Sequence, residues 1–164
     1  MSMQKLVDKK DTLIKLLSRC TASIVYRPMR DEIKYDRAPL PSNIFNTILE
    51  LPHSKNSNPG EWAEKCRLNF RNNNPCIIIP GSEFDIFGAR HGHGLGWYDR
   101  FLSQIPKRWL RIGIIDSSRL SFMPITQQSW DEPVDWIAVY NQSMSSWKFY
   151  ETFAREKDSI IHRK

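Results

Sequence analysis

Chemically capable side chains crowd into one stretch, Gly88-Ala89-Arg90-His91-Gly92-His93-Gly94-Leu95-Gly96-Trp97-Tyr98-Asp99. Glycine recurs at every second position from Gly92 to Gly96. Without Cβ atoms a ligand can approach the main chain, and positive φ becomes accessible, so successive N–H groups can converge on an anion. Phosphate is the natural guest. Arg90 at the mouth offers a bidentate fork for phosphate oxygens, and Asp99 at the exit offers a hard oxygen for a magnesium ion riding on them. The competing reading is a flexible surface turn, with Asp99 complementing the dipole of a helix start.

Other chemistries find less in the sequence. His91 and His93 form a His-x-His pair that could bind zinc, but Cys76 and His53 lie in other segments and nothing nearby completes a ligand set. Ser82 lacks a G-x-S-x-G frame, and Cys76 opens an apolar strand, so neither reads as a nucleophile. What remains is positioning and electrostatics, which is most of what phosphoryl transfer needs. Trp97 and Tyr98 either stack on a planar ligand or anchor the helix that follows.

The run Pro80-Gly81, Phe84-Asp85, Gly88-x-Arg90-x-Gly92-x-Gly94-x-Gly96-x-Tyr98-Asp99-Arg100 resembles the signature of the 5-formyltetrahydrofolate cyclo-ligases, also called methenyltetrahydrofolate synthetases. The likeness continues through Arg111-Ile112-Gly113-Ile114-Ile115 and Pro124 to Trp130-Asp131-x-x-Val134-Asp135, in register from Cys76 to Val139. It implies an ATP- and Mg2+-dependent cyclisation of 5-formyltetrahydrofolate, free or polyglutamylated, to 5,10-methenyltetrahydrofolate in one-carbon metabolism. Asp99 and Asp131 match the two magnesium ligands of the family. Arg90 and Tyr98 are the implied catalytic side chains, and Gly88 and the run from Arg90 to Tyr98, including His91, Gly92, His93, Gly94, Leu95, Gly96 and Trp97, the implied nucleotide contacts. Lys10 matches a basic nucleotide contact in the first helix, whereas Ile14 stands where the family carries an arginine. Glu32 is the nearest match to a folate-binding glutamate. The stretch before Cys76 is shorter than in the family, which usually has at least one further strand there. The alternative is a cyclo-ligase-like nucleotide-binding domain without folate turnover, acting as a binding or assembly module.

These residues need elements to hold them. Ile77-Ile78-Ile79 reads as a buried strand feeding the glycine loop, which empties into a helix at Trp97; strand, glycine loop, helix is the expected unit. Leu110 to Ile115 and Val134 to Tyr140 read as further buried strands of a parallel sheet. Asp116 to Arg119 sit just past the carboxyl end of one of them, where open α/β sheets place ligands. Upstream, Leu6, Leu13, Ile14 and Leu17 predict an amphipathic helix over Lys5 to Leu17, and Ala22 to Tyr26 a short strand. Ser42 or Asn43 as N-cap, with Ile44, Ile48 and Leu51, predicts a second helix. A loop follows from His53 to Gly60, then a short helix around Trp62 to Phe70. Trp147, Tyr150, Phe153 and Ala154 predict an amphipathic C-terminal helix, packed on the core or facing a protein partner, with a charged tail over Lys157 to Lys164. The expectation is a single α/β domain of three layers, αβα, with a mainly parallel sheet. It has a shortened front over 1–75, a signature region over 76–139 and a helix and tail over 140–164.

Composition is consistent with this. At 164 residues, 40% hydrophobic and 26% charged, the chain can bury a proper core. The net charge of +6 suits anionic ligands; the basic residues are scattered, with no arginine–glycine repeat or basic run interleaved with aromatics, which argues against nucleic acid. Cys20, Cys66 and Cys76 lack C-x-x-C spacing and are odd in number, which fits a reducing compartment. With no membrane-length apolar run and no hydrophobic signal region at Met1 to Lys5, the expected location is the cytoplasm.

Overall fold

The computed structural model describes residues 6–92 and 96–154; Met1 to Lys5, His93 to Leu95 and the tail from position 155 lie outside it. Chain order begins with α1 (Lys10–Leu17) and β1 (Ala22–Val25), then a 3-10 turn at Ser42–Phe45 and β2 (Thr47–Glu50). α2 (Pro59–Asn69) and β3 (Cys76–Pro80) follow, then a hairpin of β4 (Glu83–Asp85) and β5 (Arg90–His91), and α3 (Trp97–Leu102). The chain closes with β6 (Arg111–Asp116), β7 (Leu120–Ser121), β8 (Trp136–Asn141) and β9 (Ser146–Glu151).

Six strands form the central sheet in the order β2-β1-β3-β6-β8-β9. All neighbours are parallel except β8 and β9, an antiparallel pair. The sheet is covered on both faces, and the reason is visible in β3. Alternate side chains of a strand point to opposite faces. Ile77 and Ile79 enter a core with Ala63 and Cys66 of α2 and Trp97 and Phe101 of α3, whereas Cys76 and Ile78 join Leu13 and Leu17 of α1 on the other face. A strand buried on both faces must be apolar throughout, as this one is. The expected mainly parallel α/β sheet between helical layers is borne out.

Three expectations about elements change. The stretch from Ile44 to Leu51 is not a helix: Ile44 and Leu51 are buried, but Thr47 to Glu50 extend as the edge strand β2 beside β1. The three- and four-residue spacing of its apolar side chains arises because the 3-10 turn buries Ile44 before the strand begins. β2 thus takes the place of the expected second helix, and between it and β3 the described residues form no further strand. The C-terminal helix expected through Trp147 and Tyr150 is likewise a strand, β9. Ser146 to Glu151 pair antiparallel with β8, Phe149 is buried opposite Ala138, and Trp147 and Tyr150 pack against the two cores, so these aromatics are used in packing. Pairing with a neighbouring strand overrode an i, i+3 pattern.

The third change lies between β3 and α3, where a hairpin interrupts the expected loop. β4 pairs antiparallel with β5 and parallel with β7, forming a second sheet of three strands. Asp85 organises it. This carboxylate is 1% exposed, and its Oδ1 accepts from the N–H groups of Phe87 and Ala89, both at 2.9 Å, closing the hairpin turn. Its Oδ2 accepts from Ile125 N–H at 2.9 Å, capturing the long connection after β7. Gly88 sits in this turn at φ +87°, and a Cβ there would come within 2.4 Å of the Val134 carbonyl oxygen. Among the described residues no helix is long and apolar enough to cross a membrane.

Replacing Asp85 with Asn leaves one of its three N–H partners facing an NH2 group. An unsatisfied buried donor costs roughly 1–3 kcal/mol, so urea denaturation of Asp85→Asn is expected to show that loss, with a near-wild-type value overturning the anchoring role.

Candidate active site

The chain leaves β1 toward one edge of the sheet and returns to place β3 on the other side of β1, so the strand order reverses between β1 and β3. Crevices for ligands open outside the carboxyl ends of strands at such a switch point. Two cavities meet there, both lined by Pro80 at the end of β3 and by Glu32 in the segment after β1. The smaller, of about 320 Å3, reaches Asp116, Ser118 and Arg119 beyond β6. The larger, of about 870 Å3, is lined by Arg90, His91, Gly92, Gly96, Trp97, Tyr98, Asp99 and Asp131.

Arg90 is part of its wall. Its Nε donates to the Pro80 carbonyl at 2.5 Å, and its guanidinium lies over the Tyr98 ring, 4.7 Å from the centroid. A Cβ on Gly92 would stand 2.6 Å from Arg90 Nη2, so glycine at this position makes room for the guanidinium. Burial lowers the Arg90 pKa, opposed by Tyr98, Asp99, Glu32 and Asp131; arginine stays charged throughout the ordinary pH range. The side chain is a fixed cation facing a cleft.

Helix α3 positions the next three residues. Gly96 precedes it at φ +65°, in the left-handed region that glycine enters without cost. Trp97 points into the core, 4% exposed, stacked on Phe101 with 5.4 Å between centroids and donating its indole N–H to the Ser57 carbonyl at 3.1 Å. Tyr98 is only partly buried and supports Arg90, its pKa raised chiefly by burial. The two aromatics divide the roles left open in the sequence: Trp97 anchors, and Tyr98 faces the cleft.

Asp99 and Asp131 share this cavity although the chain between them runs through β6 and β7. Asp99 Oδ1 accepts from Glu132 N–H at 3.0 Å, and Asp131 Oδ2 accepts from Gln128 N–H at 2.8 Å. What places Asp131 is a buried ion pair. Arg111 of β6, 4% exposed, donates through Nη1 to Glu132 Oε2 at 2.9 Å and through Nη2 to the Leu102 carbonyl at 2.9 Å, while its own N–H goes to Asp135 Oδ2. Burial raises the Asp99 pKa first; Glu132 N–H and Arg90 oppose that, and the adjoining Asp131 carboxyl adds to it. Two carboxylates held together in a half-enclosed cleft fit a divalent cation, which would relieve their repulsion. Among the described residues no group of three or more His, Cys, Asp or Glu is arranged around a metal; two carboxylates alone could hold a hard ion whose other ligands are water or ligand oxygens.

The other expected site residues fall out differently. His91 lines the cleft but is engaged structurally, with Nε2 2.9 Å from the Thr126 carbonyl and Nδ1 3.6 Å from Glu83, so it ties β5 to the connection after β7. Glu32 lies between the cavities, accepting from Met29 N–H at 2.7 Å. Gly88 is not in the cleft; it is the buried hairpin glycine packed on Val134. Lys10 is exposed at the start of α1 and lines neither cavity. His93, Gly94 and Leu95 lie outside the described residues. Trp130, Arg27 and Lys55 line the cleft without having been singled out; Trp130 was visible beside Asp131, whereas the two cations belong to segments whose placement depends on the fold.

No protein-family model matches the chain. In sequence it is 37% identical over 62 residues to the 5-formyltetrahydrofolate cyclo-ligase of Mycoplasma genitalium, a stretch covering 38% of this chain and 36% of that protein. The match therefore spans about a third of the relative's length. The structure resembles a 5,10-methenyltetrahydrofolate synthetase from Mycoplasma pneumoniae with a TM-score of 0.50, 19% identity and coverage of 79% of this chain and 80% of that one. The corresponding values for the NMR structure of the Aquifex aeolicus 5,10-methenyltetrahydrofolate synthetase are 0.49, 18%, 79% and 77%. The cyclo-ligase resemblance of the signature stretch is borne out, and the Mycoplasma pneumoniae enzyme shares the fold.

A raised folded-state pKa means that ionising Asp99 costs stability. The cost is absent below the carboxylate range and complete above the raised value. Asp99→Asn keeps the acceptor for Glu132 N–H, so thermal melts are expected to show it at least as stable as wild type near pH 7, the difference vanishing at acid pH. A lower melting temperature at pH 7 would contradict that sign.

Proposed function

We propose that the chain is a 5-formyltetrahydrofolate cyclo-ligase that consumes ATP with Mg2+ and releases ADP and phosphate. The observation that carries this reading is the joint presence, in one 870 Å3 cleft, of the Arg90 cation seated against Gly92 and Tyr98 and of the Asp99–Asp131 pair. A cleft of this size accommodates a nucleotide together with a planar second substrate. The shared sequence stretch supports the folate part of the reading.

In this reading the reaction proceeds in two displacements. The formyl oxygen attacks the γ-phosphorus of ATP and ADP leaves; N10 then attacks the activated formyl carbon, and phosphate leaves as the ring closes. Arg90 binds the phosphoryl oxygens and neutralises charge that develops on them, in a setting where burial strengthens its field. Tyr98 holds the guanidinium in place from beneath and closes the wall on which the pterin lies. Glu32, beyond β1, offers a carboxylate for the donor edge of the folate. Asp99 and Asp131 would hold the magnesium ion, which supplies charge neutralisation on the phosphates. His91 and Arg111 act by position, keeping the connection that carries Asp131 against the cleft. The free cysteines of the described residues suit a cytoplasmic location.

Purified protein incubated with 5-formyltetrahydrofolate and Mg–ATP is expected to show the near-ultraviolet absorbance of the methenyl product. Arg90→Ala should lower the rate by on the order of 10²-fold, the loss for one pre-organised transition-state donor. Mg–ATP alone should also raise the melting temperature of wild type by mass action. A thermal shift without any absorbance change would replace the enzyme by a nucleotide-binding domain without folate turnover, for which Ile14 and the distance of Lys10 from the cleft already speak.

The carboxylate pair gives a separate check. If Asp99 and Asp131 share one ion, Asp99→Asn and Asp131→Asn should each weaken Mg–ATP binding, and the double variant should lose much less than the sum. Unchanged magnesium dependence in both single variants would remove the ion from this reading.

A further inference from the structure

The amino end of the sheet, opposite the cleft, holds a second chemically active cluster. Cys20 lies in the turn between α1 and β1, and Cys76 is the first residue of β3. β1 and β3 are neighbours with Ser23 opposite Cys76, which brings the turn before β1 against the start of β3. The Cys20 sulfur lies 3.1 Å from the Ala22 carbonyl and 3.4 Å from that of Asn74, two residues before Cys76. The two thiols adjoin each other, with Cys76 1% exposed and Cys20 partly exposed.

We propose that Cys20 and Cys76 form a peroxide-oxidised thiol pair that closes to a reversible disulfide, with Cys20 the reacting and Cys76 the resolving sulfur. The asymmetry is what the chemistry needs. The thiolate is the nucleophile, and reactive thiols that are partly exposed beside a second cysteine can resolve their sulfenic acid intramolecularly. The hydrogen bond from Cys76, opposed by partial burial, brings the Cys20 thiol down to about 6. The hydrogen bond to Cys20 and burial together hold the Cys76 thiol well above the usual range. Cys66 is an internal contrast: buried in the α2 core, its thiol is pushed up to about 12.

The oxidant is hydrogen peroxide. The Cys20 thiolate attacks one peroxide oxygen, the O–O bond breaks, and with one proton taken up water leaves and Cys20 becomes a sulfenic acid. The Cys76 sulfur then attacks the Cys20 sulfur, the S–O bond breaks, and hydroxide departs with the Cys76 proton as a second water. Two electrons pass from the two sulfurs to the peroxide. The product staples the turn after α1 to β3 and leaves the cleft at the other end of the sheet untouched.

The test is a non-reducing peptide map of the wild-type chain after stoichiometric hydrogen peroxide near pH 7. The expected result is a linked Cys20–Cys76 peptide lighter by two hydrogen atoms, Cys66 recovered as a free thiol, and reversal by dithiothreitol. In Cys76→Ser, dimedone should trap a sulfenic acid on Cys20, and in Cys20→Ser Cys76 should stay unmodified. Recovery of Cys20 as a free thiol, its oxidation without linkage to Cys76, or oxidation of Cys66 at the same rate would each overturn the proposal. The wild-type map needs no variant to fold.

Discussion

One buried carboxylate connects the two halves of the molecule. Asp85 spends both its oxygens on backbone N–H groups, two within its own hairpin and one, Ile125, in a connection that enters from another part of the chain. Charge-assisted hydrogen bonds of this kind are stronger than neutral ones, and a buried carboxylate is tolerated because they replace its lost water. The consequence is geometric. The turn that aims Arg90 into the cleft and the connection that delivers Asp131 to it are fixed to the same side chain, so the cation and the acidic pair cannot drift independently.

A second tie completes the arrangement from below. Arg111 stands in a strand that is otherwise apolar, and a charge there is costly unless paired. Its guanidinium meets Glu132 and the end of α3 at Leu102, which sets the Glu132 N–H on Asp99 and brings Asp131 in beside it. His91 adds a third contact to the same connection through Thr126. A stretch with no regular structure between Phe122 and Val134 is thereby held at several points, as a loop that carries functional residues on a rigid scaffold must be.

Local chemistry was legible in the sequence where it depended on a run of residues. The apolar strand at Ile77 to Ile79 and the helix opening at Trp97 both appear where the residue types put them. Reading failed where distant pairing decides the conformation. Thr47 to Glu50 and Ser146 to Glu151 are strands because β1 and β8 offer edges to pair with, and no periodicity within either segment reports a neighbour so far away in the chain. Gly88 misled for a related reason. It belongs to the glycine-rich motif in sequence, yet in space it serves the hairpin turn, and its close approach to Val134 is a requirement that no neighbouring residue announces. Asp85 and Arg111 stand in the motif with no role legible from their neighbours, because their partners Ile125 and Glu132 are assigned only by the fold.

The cleft is built against its own electrostatics, and that is informative. Folding burial around Asp99 and then adding Asp131 beside it raises the free energy of the ionised pair. Nothing in the core requires this: the hydrogen bond from Glu132 N–H would be served as well by a neutral acceptor. Arg90 offsets part of that cost, since its charge acts on Asp99 and lines the same cavity as the acidic pair. Asp85, Arg111 and His91 fix the backbone around that cavity at three points, so charges of both signs are presented to it by a rigid frame rather than by mobile side chains.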